Sequence, residues 1–159
     1  MGKGMVSAGN LSNFLLRKNP EANPSYVRTL SQLYIEESAY EGINHDIAFS
    51  QMCLETGFLN FGGLVKPEWN NFCGLGAIGP EQPGLIFPDQ RTGVRAHIQH
   101  LKAYATNESL KGVLVDPRYK YVKLGSSPII EGLSGTWAAD KQYSNKIYDI
   151  LQRLYDFSF

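Results

Sequence analysis

The chain has 159 residues, with fifteen Lys plus Arg against fifteen Asp plus Glu, and 43% of its positions are hydrophobic. That reads as one ordinary soluble domain, long enough to build a core without metal or disulfide staples, and eight Phe, nine Tyr and two Trp exclude a disordered chain. A formal net charge of zero excludes nucleic acid or an anionic membrane as the main partner, because both require a basic surface.

Five helices and two shorter turns are readable in chain order. Ser7 caps a short helix through Leu11, Phe14, Leu15 and Leu16, which Lys18-Asn19-Pro20 ends. Asn23-Pro24-Ser25 supplies the cap and first turn of a longer helix, with Val27, Leu30, Leu33 and Tyr34 on its apolar side, ending near Gly42. Asn44 or His45 opens a third helix that Gly57 closes. From Gly57 to Gly93, eight Gly and four Pro fall among Phe58, Phe61, Trp69, Phe72, Ile78 and Phe87 without a helical period. This stretch reads as loop, with a helical turn at 67–71 and a small hairpin at 78–87. Helix returns at 92–105, capped by Thr92 and striped by Val94, Ile98, Leu101 and Ala105. A short helix at 116–122, a loop to Trp137 and a last helix at about 140–156, with Ile147, Ile150, Leu151 and Leu154 inward, complete the chain. The fold class is therefore mostly α (α+β): one domain over 1–159, with its core at about 10–154 and a reduced β/loop lobe at about 57–93.

No apolar run approaches the roughly 20 residues that span a bilayer, and 1–10 lacks the apolar stretch of a signal peptide. Cys53 and Cys73 could form one disulfide but make no framework, and buried free thiols are the plainer reading.

The segment 44–57 carries the chemistry. At about 100° per residue, Asn44, Ala48, Gln51 and Glu55 share one narrow stripe, while Ile47, Phe49, Met52, Cys53 and Leu54 make most of the remaining circumference apolar. Such a helix belongs in the core, and its single polar stripe faces either a buried network or a cleft. Glu55 lies in the last turn, where desolvation and the helix C-terminus both raise a carboxyl pKa, the condition for a general acid near neutral pH. A structural Glu paired with Arg91 or Arg95 is the competing reading. The Gly-rich, aromatic-rich stretch that follows favours a polysaccharide cleft, since sugar faces stack on rings and a glycan approaches backbone closely.

Four runs in order, S-Q-M-C-L-E-T-G-F at 50–58, N-N-F-C-G-L-G-A at 70–77, F-P-D-Q-R-T-G-V-R-A-H-I-Q-H-L-K-A-Y-A at 87–105 and G-T-W-A-A-D-K-Q-Y at 135–143, resemble the bacterial glucosaminidase domain. That is the family 73 type of glycoside hydrolase found in autolysins, flagellar peptidoglycan hydrolases and some phage lysins. The resemblance covers about 10–154. It implies a lysozyme-like fold and a hydrolase that cleaves the β-1,4 bond on the reducing side of N-acetylglucosamine in the cell-wall glycan. It also implies a secreted or cell-wall-associated protein whose partner is the peptidoglycan strand; a monomer without a cofactor is expected.

By the same resemblance Glu55 is the general acid and Tyr143 contacts the sugar at the cleavage point. Asn70, Asn71, Phe72 and Gly74 form a cleft wall, and Trp137 and Asp140 bind substrate; Gln51, on the polar stripe with Glu55, is a further expected substrate contact. For Trp137 core packing has equal standing, and for Tyr143, on the side of Ile147, it is the competing reading. The second carboxylate that glycoside hydrolysis normally uses has two candidates, Glu81 and Asp89, each with a plainer reading as a loop acid or a turn cap. The substrate's own 2-acetamido oxygen is a third route. Alternatives on the same fold are a muramidase or lytic transglycosylase, and a non-catalytic wall-binding module. His97 and His100, one turn apart, read as rings satisfied at the core edge rather than metal ligands. The spacing of Gly74, Gly76 and Gly79 does not make a nucleotide loop.

Overall fold

Four of the five helices open where a side chain accepts a free backbone N–H, and two close on a glycine. The computed structural model describes residues 1–159 and contains α1 (Ala8–Lys18), α2 (Pro24–Glu41), α3 (His45–Thr56), α4 (Gln90–Ala105) and α5 (Tyr143–Ser158). Ser7 accepts from the Asn10 N–H, Asn23 from Tyr26 and Asn44 from Asp46 and Ile47, so three helices open on the caps expected of Ser and Asn. Gly42 and Gly57 end α2 and α3 in the left-handed conformation that glycine adopts without a Cβ clash.

The structure corrects several boundaries. Asp89, not Thr92, caps α4: its carboxylate accepts the Thr92 N–H at 2.7 Å, and the helix begins at Gln90. The last helix starts at Tyr143, because the Asp140 carboxylate closes a turn onto the Gln142 N–H just before it. The expected turn at 67–71 shrinks to the 3₁₀ turn Pro67–Trp69, and the helix at 116–122 to Tyr119–Tyr121, since Pro117 has no N–H and Asp116 captures that of Arg118. The loop before Trp137 contains an unforeseen 3₁₀ turn, Ile130–Leu133, that buries Ile130 and Leu133. No hairpin forms at 78–87 beyond a single bridge between Gly79 and Gln82. The chain after Gln82 bonds elsewhere, Leu85 N–H to the Leu75 carbonyl and Phe87 N–H to that of Trp69. The lobe is therefore loop.

The five helices share one core. α1 packs on α2, α2 on α3 and α4, and α3 also on α4 and α5. Being enclosed on three sides, α3 buries Ala48, Phe49, Met52 and Cys53 completely, which is why its sequence is apolar almost all round. Each large side chain so buried contributes about 1.5–3 kcal/mol. The segment before α1 is tied down by Asp46, whose fully buried carboxylate accepts the Met5 and Val6 N–H groups and the Tyr155 hydroxyl. α4 meets the lobe at Gly93, where an added Cβ would fall 1.8 Å from the Asn70 carbonyl oxygen. No helix is long and apolar enough to cross a membrane. Cys53 and Cys73 are both buried free thiols.

Candidate active site

Glu55 is the penultimate residue of α3, and its side chain emerges where α3, α5 and the lobe meet. Oε1 accepts a short hydrogen bond from the Tyr143 hydroxyl at the start of α5. Oε2 lies on the side of Gly74, where a Cβ would stand 3.7 Å from it, so glycine there leaves the oxygen accessible. Burial raises the Glu55 pKa above the usual carboxylate range, while the Tyr143 hydroxyl and the Trp137 side chain pull it back in part. One oxygen is thus fixed and the other free beside a cavity, and the carboxyl holds its proton to higher pH than an exposed glutamate.

Behind Tyr143 runs a buried relay. The Gln51 amide donates to the Tyr143 oxygen at 2.9 Å, and its carbonyl meets His97 Nε2 at 2.8 Å. The Tyr34 hydroxyl lies 2.7 Å from His97 Nδ1. Burial depresses the His97 pKa to about 3, with nearby His100 adding to it, so the ring is neutral and carries one N–H. Since the Gln51 amide nitrogen serves Tyr143, its oxygen must accept from His97 Nε2–H, which leaves Nδ1 to accept from Tyr34. Every donor therefore points toward Glu55. Tyr34, Gln51 and His97 are fully buried, so no link is shared with solvent.

The cavity on Glu55 is walled by Phe61, Leu64 and Val65 on one side and Asn71, Gly74 and Ala77 on the other. Phe58, Leu59 and Phe61, just after the helix, all have positive φ, between 51 and 66°. Bulky residues in that region cost about 1–3 kcal/mol each. They are held there by the Thr56 hydroxyl, which accepts the Leu59 N–H, by Asn19, which donates to the Phe58 carbonyl, and by the edge contact of Phe14 with the Phe58 ring. Strain concentrated next to Glu55 shapes this wall of the cavity.

The remaining candidates separate. Trp137 both packs and faces out: its indole meets His97, His100 and Tyr104 at centroid distances of 5.8, 4.9 and 5.3 Å, and it lines a second cavity that shares Gly74 and Ala77 with the first. Gln51 has no cleft surface, because both ends of its amide are taken inside the core; it supports Tyr143 instead of substrate. Phe72 is also fully buried and cannot stack on a sugar. Asn71 spends its amide on the lobe, donating to the Leu75 and Leu85 carbonyls and accepting the Leu75 N–H, and so holds Gly74 in place. Asn70 takes a left-handed turn and donates to the Phe87 carbonyl.

Asp89 is occupied as the α4 cap, Asp140 pairs with Lys146 at 2.6 Å on the exposed turn before α5, and Glu81 is exposed at the lobe tip. None of these three lines the cavity of Glu55, which is the only carboxylate in its wall. No group of three His, Cys, Asp or Glu side chains is arranged to hold a metal. Sequence reading missed Tyr34 and His97 as relay members. Their signal was only a buried polar atom on an apolar stripe.

The sequence model of the mannosyl-glycoprotein endo-beta-N-acetylglucosaminidase family matches residues 31–156. An uncharacterized protein of Borreliella burgdorferi is 44% identical over 158 residues, which are 99% of this chain and 78% of that protein. Two solved structures of S. aureus autolysin E share the fold at a TM-score of 0.59 and 13% identity, covering 98% of this chain and 69% of theirs. One is a catalytic glutamate-to-alanine mutant in complex with the disaccharide NAG-NAM, the other the protein in complex with the muropeptide NAM-L-Ala-D-iGlu.

Proposed function

The chain belongs to the glucosaminidase family, and from that membership we propose that it is a peptidoglycan hydrolase, an endo-β-N-acetylglucosaminidase with Glu55 as general acid. The observation that carries the reading is the Glu55 carboxyl itself: one oxygen anchored by Tyr143, the other facing a cavity, its pKa raised by burial. The fold supports the substrate class, since autolysin E, which shares it, binds NAG-NAM and loses a glutamate in its catalytic mutant.

In this mechanism the protonated Glu55 gives its proton to the glycosidic oxygen as the C1–O bond breaks and the bonding pair leaves with that oxygen. With no second carboxylate in the cavity wall, the carbonyl oxygen of the substrate's 2-acetamido group bonds to C1 and forms a cyclic oxazolinium. Water then adds to C1, its proton passes to the Glu55 carboxylate, and the acetamido group is restored with net retention. Asp89 and Glu81 take no part.

Tyr143 acts through Glu55, as a positioning residue. Its hydroxyl lowers the Glu55 pKa, so Tyr143→Phe lets burial act unopposed by that bond and the pKa rises further. The alkaline limb of kcat/KM, set by loss of the acid's proton, therefore moves to higher pH while kcat falls. A pH–rate profile of the variant checks this; an unmoved or lowered limb contradicts it.

Purified sacculi separate enzyme from binding module. Incubation with the protein should release soluble glycan fragments; sedimentation of the protein with the sacculi and no release would replace the hydrolase by a wall-binding domain.

A further inference from the structure

The second cavity, about 280 Å³, continues the Glu55 cavity past Gly74 and Ala77 and ends on a cation. Its lining includes Arg118 and Tyr121, with the guanidinium 4.6 Å from the Tyr121 ring centroid. Three of the six arginines, Arg91, Arg95 and Arg153, are ion-paired; Arg118 is in no ion pair and is the only arginine lining either of these two cavities. The neighbouring acid is already committed. Asp116, 1% exposed, accepts from His100 Nδ1 at 2.7 Å and, with its other oxygen, from the backbone N–H of Arg118 at 2.8 Å. That acid fixes the backbone carrying Arg118 and leaves the guanidinium unpaired. Residues 118–123 add Lys120 and Lys123 and contain no acid, a local basic strip within a chain of zero net charge.

A planar guanidinium, stacked and unpaired at the end of an aromatic-walled cleft, is built to take a carboxylate through two parallel hydrogen bonds. We propose that Arg118, held over Tyr121, forms a subsite for a carboxylate on the glycan strand, so that the cleft prefers strands bearing muramoyl units to uncharged ones. The proposal rests on the reading of the chain as a glycan hydrolase with Glu55 as its acid. The carboxylate has two sources in such a strand: the lactyl group of the muramoyl unit when its peptide is absent, and an acidic residue of the peptide when it is attached.

The test measures binding in the Glu55→Gln background, where strands are not consumed, with Arg118 intact, Arg118→Gln or Arg118→Lys. Three tetrasaccharides are titrated by calorimetry: peptide-bearing NAG-NAM repeats, the same repeats stripped by an amidase, and the neutral β-1,4-linked N-acetylglucosamine oligomer. Arg118→Gln is expected to weaken one or both carboxylate-bearing ligands about tenfold and the neutral one far less, with Arg118→Lys recovering part of the loss. Loss confined to the peptide-bearing strand assigns the acidic peptide residue; loss confined to the stripped strand assigns the lactyl group. An equal change for all three ligands, no change for any, or no binding of either carboxylate-bearing ligand overturns the subsite. Hydrolysis by the wild-type chain is scored separately. Uncut strands would remove the hydrolase reading, while the binding comparison would still decide on Arg118.

Discussion

Glu55→Gln lowers glycan cleavage by about 10³-fold while the protein stays folded. The substitution keeps the shape of the side chain, and its amide oxygen still accepts the Tyr143 hydroxyl, so the relay behind it survives. What is lost is the transferable proton. The same variant carries a stability signature whose sign follows from the raised pKa of Glu55. Across the window between the ordinary carboxylate pKa and the raised folded-state one, the native protein holds more protons than the unfolded chain, so wild-type stability falls as pH rises. Glutamine does not titrate. Glu55→Gln should therefore melt progressively higher than wild type as pH increases through that window, with a constant difference above it and the smallest difference in acid. Thermal melts at stepped pH check this. A gap that widens toward low pH would mean that Glu55 is held ionised, contrary to the role of acid proposed for it.

Gly93→Ala destabilises the fold by about 3 kcal/mol, more than any other single methyl added at a glycine of the lobe or of α4. The new Cβ would sit 1.8 Å from the Asn70 oxygen and 3.1 Å from the Phe72 ring, and the first of these is backbone that no rotamer change can clear. Alanine ordinarily stabilises a helix relative to glycine by about 1 kcal/mol, so the sign of the measured change tells which effect wins. The damage reaches the site through the lobe: Asn70 and Asn71 precede the turn that holds Gly74 beside Glu55. Denaturant unfolding of the variant should show a lowered midpoint, and its residual activity should fall with it. A midpoint equal to or above wild type would show that α4 and the lobe are not locked together there.

The helices were legible because their signals are local. Ser7, Asn23 and Asn44 cap where they stand in sequence, and the all-round apolar pattern of α3 announced a central helix with one polar stripe. That stripe also carried Glu55. Gln51 on the same stripe could not be resolved from sequence, because it is satisfied by His97 and Tyr143, which lie 46 and 92 residues further on. The lobe misled for a related reason. Asn71 and Phe72 look like cleft residues in a motif, yet a loop with no strands has to build its own support, and these two turn inward to supply it. Asp89 was drawn toward the helix it precedes, whose free N–H groups make capping the nearest use for a carboxylate. Net charge concealed Arg118 altogether, since a sum of zero says nothing about three cations gathered within 118–123.

The central claim, cleavage on the reducing side of N-acetylglucosamine with Glu55 as acid, is tested most directly by borohydride reduction and mass spectrometry of digested peptidoglycan, with wild type and Glu55→Gln side by side. Wild type should leave reduced glucosamine ends, and Glu55→Gln should leave almost none. Reduced muramic acid ends or anhydro ends from wild type, or undiminished glucosamine ends from Glu55→Gln, would contradict it.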